Sequence, residues 1–138
     1  MTAALVDAGP LIALFNPADQ AHSHYSSLLI DTTQRWHLHT TWPVITEASH
    51  LLRGVARFEM LNWVGHGGVE VFPFDAPHLL EIVPWMQTYS EPPRSVMDLA
   101  DASLYWLAQD TGVRRILTID HREFSRYRLP DGSAFEIV

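Results

Sequence analysis

Short β-like runs that alternate with segments of helical spacing predict an α/β fold, a three-layer α/β/α sandwich with a mostly parallel central sheet. Size and composition agree with this. The chain has 138 residues, 47% hydrophobic and 18% charged, which describes one globular domain over residues 1–138. A chain of this length should bury about 68% of its unfolded surface, enough for a core without disulfide or zinc staples. Capping signals between the runs are the third observation.

The strand-like runs are residues 3–6, 38–40, 69–72, 115–119 and 134–138. After the second, Thr41 is a candidate N-cap, with Pro43 near the helix start and Val44, Ile45, Ala48, Leu51 and Leu52 at helical intervals. Asp75 with Pro77 opens a later helix, which Pro84 should kink or end. Ser95 with Asp98 three residues on reads as a capping-box variant before Leu99, Ala102, Tyr105, Trp106 and Ala108. Gly112 closes that helix. The breakers Gly65-His66-Gly67-Gly68 and Glu91-Pro92-Pro93 fall where connections belong, and neither marks a shift in composition.

Composition excludes several chemistries. The chain has no Cys, which removes disulfide scaffolds, thiol catalysis and cysteine-ligated zinc, and suits a reducing compartment. All nine basic residues are Arg; without Lys there is neither a P-loop nor a Schiff base. A net charge of −7 repels polyanions, so a nucleic-acid partner requires a local Arg patch or a bound cation. Residues 1–8 lack the basic start and apolar stretch of a signal peptide, and no apolar run reaches membrane-spanning length. The expectation is a cytoplasmic protein with no membrane association.

In open α/β sheets, sites form beyond the carboxyl ends of the strands. Asp7 ends the first run and Asp120 follows Ile116-Leu117-Thr118-Ile119. Glu47 sits one turn into the helix after the second run, and Asp98 and Asp101 are three apart at the start of another helix. If those ends share one edge of the sheet, four or five carboxylates converge and raise one another's pKa. A hard divalent cation, Mg²⁺ or Mn²⁺, resolves that repulsion and suits phosphodiester hydrolysis. Each acid also has an ordinary reading: a cap for Asp7, a solvated helix face for Glu47, a dipole partner for Asp98. Asp101 is different, because it lies among Ala100, Ala102 and Leu104 and needs a partner.

The acids Asp7, Glu47, Asp101 and Asp120, in this order and spacing, resemble the PIN domain family of metal-dependent ribonucleases. The stretches that carry the resemblance are 5–14, with Asp7-Ala8-Gly9-Pro10; 46–52, with Thr46-Glu47-Ala48-Ser49-His50; and 97–102 continuing to 116–124, with Met97-Asp98-Leu99-Ala100-Asp101 and Thr118-Ile119-Asp120-His121-Arg122. Its compact length is similar to that of VapC-type toxins of bacterial toxin–antitoxin pairs. The resemblance implies an Mg²⁺- or Mn²⁺-dependent endoribonuclease with Asp7, Glu47, Asp101 and Asp120 at the metal and Asp98 as an extra ligand. It implies that Thr118 orients a carboxylate or water. It also implies an RNA substrate, a homodimer and a cognate antitoxin. Ala8 stands where many members of the family carry Ser or Thr, which removes a supporting hydroxyl. The alternatives are a PIN nuclease of RNA processing and a non-catalytic interaction module of the same fold.

Arg122, Arg126 and Arg128 follow Asp120 closely and are the candidates for RNA phosphate contact. Trp42, Trp63, Trp85 and Trp106 fall on helical patterns and read as core or interface, and Leu51, Leu52, Leu61 and Trp63 mark helix faces where an antitoxin could bind. On a strand, His37 and His39 would face the same side, but no third nitrogen ligand is indicated, and surface or capping histidines are the better reading. His22 and His24 are read the same way. No G-x-S-x-G elbow supports a Ser–His–Asp hydrolase, and receiver domains and haloacid-dehalogenase phosphatases both fail for want of Lys.

Overall fold

A computed structural model describes residues 1–31 and 33–138. Its sheet has five strands: β1 (Thr2–Val6), β2 (Trp36–Thr41), β3 (Glu70–Phe72), β4 (Arg115–Leu117) and β5 (Glu136–Ile137). They lie in the order β3-β2-β1-β4-β5, and every neighbouring pair is parallel. The chain starts at the centre, moves outward through β2 to β3, then returns across β1 to β4. That reversal puts the switch point beside β1, between β2 and β4.

The helices are α1 (Ala8–Phe15), α2 (His22–Ile30), α3 (Trp42–Leu51), α4 (Val55–Gly65), α5 (Leu79–Tyr89), α6 (Leu99–Thr111) and α7 (His121–Phe124). Right-handed crossovers place helices from the outward and returning halves of the path on opposite faces. Packing agrees: α1 meets α2, α3 and α4, α5 meets α6, and the two groups touch where α3 meets α6. The three-layer α/β/α expectation therefore holds.

The core lies where both layers meet β1 and β4. Leu5, Val6, Ile116 and Leu117 are buried beneath Leu11, Ile45, Leu104 and Leu107. Residues 100–108 of α6 are all buried, so this helix is enclosed rather than amphipathic. Gly112 ends it in the left-handed conformation, φ 78°, which a side chain would resist.

The structure adjusts several boundaries. Asp98 itself is the N-cap of α6, accepting from the Asp101 amide at 2.8 Å, while Ser95 is bridged to Glu91 one turn earlier. Thr41 is the N-cap position of α3, yet its hydroxyl turns to Ser103 on α6. Pro84 does not end α5, which runs five residues past it; the carbonyl it frees belongs to exposed Leu80, where water can satisfy it. β4 stops at Leu117, two residues short of the predicted run, and the next residue, Thr118, turns its hydroxyl to Asp7.

Candidate active site

Asp7 is the first residue beyond β1 and the N-cap of α1. Its Oδ1 accepts from the Ala8 amide and its Oδ2 from the Thr118 hydroxyl, both at 2.8 Å. The same hydroxyl oxygen accepts from the Asp120 amide at 3.0 Å, so Thr118 holds Asp7 and the backbone of Asp120 together across the β1–β4 pair. Thr118 is itself fixed by the Tyr25 hydroxyl, which donates to its carbonyl at 3.0 Å. Asp120 caps α7, accepting from the Glu123 amide at 3.2 Å. Gly9 permits the close approach of these segments, since a Cβ there would sit 2.9 Å from Ile119 Cδ1.

From the other side come α3 and α6. Glu47 projects from the middle of α3, and Asp98 and Asp101 from the start of α6. Asp101 is buried, and the Tyr127 hydroxyl donates to its Oδ2 at 2.9 Å. All five acids line one cavity of about 450 Å³ with Ala8, Gly9, Ile12, Leu51, Val96 and Ile119, and none of its lining residues is basic.

The electrostatics follow from that lining. Burial raises the pKa of Asp7 above the ordinary carboxylate range, and Asp98 and Asp120 push the same way against the hydrogen bonds from Thr118 and Ala8. Burial, then the charges of Asp98 and Asp7, raise Asp101 to about 8 despite the Tyr127 hydrogen bond. Glu47 is raised by burial, Asp98 and Asp7. Burial and the charge of Asp101 keep the Tyr127 phenol protonated, so it remains a donor.

This all-oxygen, anionic donor set fits a hard cation such as Mg²⁺ or Mn²⁺ and does not suit a nitrogen- or sulfur-seeking one. Among the described residues the five carboxylates do not draw three oxygens within 4.8 Å of one another. Such a spread still suits Mg²⁺, which takes one or two carboxylates directly and keeps several waters.

The predicted arginines fare differently. Arg126 donates to Glu123 Oε2 and to the Tyr89 carbonyl, both at 2.7 Å, and Arg128 donates to the carbonyls of Ser125 and Tyr127 at 2.8 Å. Arg122 is exposed on α7, next to capping Asp120. Of the tryptophans, Trp106 is buried, whereas Trp42 is 54% exposed in an apolar groove of about 670 Å³ that shares Glu47 and Asp98 with the acidic cavity. Sequence reasoning missed Tyr127, which lies 26 residues from the acid it holds and belongs to no recognisable motif.

An all-parallel sheet ordered 3-2-1-4-5, with acids beyond β1, β2 and β4, has the architecture of a PIN fold. Among solved structures, the chain is similar to VapC20 of Mycobacterium tuberculosis, described as a toxin that cleaves the sarcin–ricin loop, at a TM-score of 0.73 and 17% identity over 88% of this chain and 92% of that one. No protein-family model and no curated protein sequence matches the chain.

Proposed function

We propose that the protein is a Mg²⁺- or Mn²⁺-dependent endoribonuclease of PIN type that serves as the toxin of a toxin–antitoxin pair. One observation carries this reading: five acids without a basic neighbour line a single cavity at the switch point of a parallel sheet. Asp7, Glu47, Asp101 and Asp120 would hold the cation, one or two of them directly and the rest through its waters, with Asp98 beside them. A bound divalent ion supplies Lewis acidity toward a phosphoryl oxygen and lowers the pKa of water at the scissile phosphate.

The chain's own groups do the rest. Thr118 fixes the orientation of Asp7, and Tyr127 that of Asp101. Arg122, beside the acidic edge, places RNA phosphate, and exposed Trp42 offers a face on which a base can stack. Exposed Leu51, Val55, Phe58 and Leu61 on α3 and α4 supply apolar surface for a second copy or an antitoxin. The fold shared with VapC20, itself described as a toxin that cleaves the sarcin–ricin loop, is consistent with the toxin role.

The test is incubation of purified protein with structured and single-stranded RNAs, a sarcin–ricin hairpin included, under Mg²⁺, Mn²⁺ or EDTA. Cleavage that needs metal and disappears in Asp101→Asn supports the proposal. Cleavage that survives EDTA or the substitution contradicts it.

A further inference from the structure

The histidines of β2 lie apart from the acidic cavity, toward the start of the strand. His37 and His39 are two residues apart and so project from the same face. β3 pairs with β2 in a register that sets His39 opposite Glu70, and this brings a carboxylate to the two rings. His37 Nε2 lies 2.9 Å from Glu70 Oε2, His39 Nε2 lies 3.9 Å from that oxygen, and His39 Nε2 is 3.2 Å from His37 Nδ1. The rings meet edge to face at 4.4 Å, and His39 also rests against Phe72 at 4.7 Å. One donor atom from each residue falls within 4.8 Å of the others, and among the described residues this is the trio of acids and histidines that does so. The third ligand, absent from the sequence reading because only nitrogen was sought, is a carboxylate from the neighbouring strand.

We propose that His37, His39 and Glu70 form a second metal site, for Zn²⁺ or a chemically similar late first-row divalent cation. Two imidazoles and a carboxylate are a zinc ligand set that leaves a fourth position to water. Bonds of 2.0–2.1 Å in a tetrahedron place donors about 3.3–3.4 Å apart. With His37 Nε2 and His39 Nε2 as the donors, their separations from Glu70 Oε2, 2.9 and 3.9 Å, bracket that value, while the 3.2 Å contact uses the other ring nitrogen of His37. His37 and Glu70 are 44% and 52% exposed, so both can adjust, and the ion has a path of entry. The two sites divide metals by ligand chemistry: imidazole nitrogen selects zinc-like ions here, while oxygen selects Mg²⁺ or Mn²⁺ in the cavity.

Buried His39 Nδ1 has no hydrogen-bond partner among the described residues. A ligating histidine normally donates that N–H to an acceptor, and loss of such support weakens binding about 10–100-fold. The site is therefore exchangeable and yields its ion to a chelator. When filled it links β2 to the edge strand β3, which has only three residues of pairing.

The test uses tag-free full-length protein in excess Mg²⁺, titrated with Zn²⁺ and, for its visible spectrum, with Co²⁺. The expected result is about one equivalent of Zn²⁺ that a chelator removes, and a tetrahedral Co²⁺ spectrum. Glu70→Gln and His37→Gln, both at half-exposed positions and checked for folding by circular dichroism, weaken this by about 10-fold or more. Asp101→Asn leaves it intact. Zn²⁺ binding that is absent from the wild type, survives in Glu70→Gln and His37→Gln, or vanishes in Asp101→Asn overturns the proposal.

Discussion

Two buried acids near Tyr127 are treated in opposite ways. Glu123, 9% exposed, is met by the Arg126 guanidinium at 2.7 Å, and that guanidinium also lies over the Tyr127 ring. Asp101, 8% exposed, receives the Tyr127 hydroxyl and otherwise faces a cavity lined with other acids. The first arrangement is self-sufficient: its charge is answered within the fold. The second is incomplete, and the fold holds it in place by surrounding it with α6 and the sheet. A buried acid with an internal cation has a structural role, whereas one that faces only like charge awaits a cation from outside.

The contrast is broken most sharply by exchanging the consequences of removing each charge. Asp101→Asn should lower RNA cleavage by about 10³-fold, the scale on which loss of one electrostatic anchor is felt, as measured by single-turnover kinetics. Arg126→Met should do the reverse. It leaves Glu123 without its cation and costs about 2 kcal/mol, reduced from the fully buried case because Arg126 is partly exposed. Cleavage per folded molecule stays within about threefold of wild type, since Arg126 is committed to Glu123 and Tyr89 rather than to substrate.

Stability against pH is the next largest effect. The folded protein keeps a proton on Asp101 up to about pH 8, whereas the unfolded chain releases it near the ordinary value of 3.8. Stability in EDTA should therefore fall as pH rises from about 4 to 8, with Asp7 and Glu47 acting in the same direction. Thermal melts across that range check it. Asp101→Asn should flatten the slope and raise the melting temperature at pH 8 by about 5 °C or more, so the substitution that removes activity stabilises the metal-free fold.

Smaller effects sharpen the picture within the cavity. Thr118→Val takes a donor from Asp7 and an acceptor from the Asp120 amide, at a cost of about 1 kcal/mol and an activity loss of about 10-fold. Tyr127→Phe keeps the ring packed against Phe124 and Tyr89 but removes the hydrogen bond that favours ionised Asp101. The pH midpoint of metal binding should rise by about half a unit.

Much of this was legible from local pattern. The strand–helix alternation and the cap signals at Thr41 and at Ser95 with Asp98 predict the sheet and its helices, although the cap itself proves to be Asp98, and acids placed just after strands predict a shared edge. The elements missed are those without a local signature: α1 and α2 follow short, weakly periodic stretches, and α7 is a single turn set by the Asp120 cap. Contacts made by register are equally silent. Nothing in the sequence pairs Glu70 with His39 or Tyr127 with Asp101, because those pairings come from strand alignment and the path of the chain after α7. The hydrogen-bond partners of Arg126 and Arg128 were hidden for a similar reason, since proximity to Asp120 in sequence does not tell which carbonyls and carboxylates a guanidinium will meet.

The central claim is that the unanswered acids await a divalent cation, and proton release on metal binding tests it most directly. Titration calorimetry with Mn²⁺ at pH 7, in buffers of different ionisation enthalpy, counts the protons displaced per ion. With Asp101 raised to about 8, the wild type should release close to one proton per Mn²⁺, and Asp101→Asn should bind weakly and release almost none. Equal Mn²⁺ binding by both proteins without proton release, or no binding by either, would contradict it.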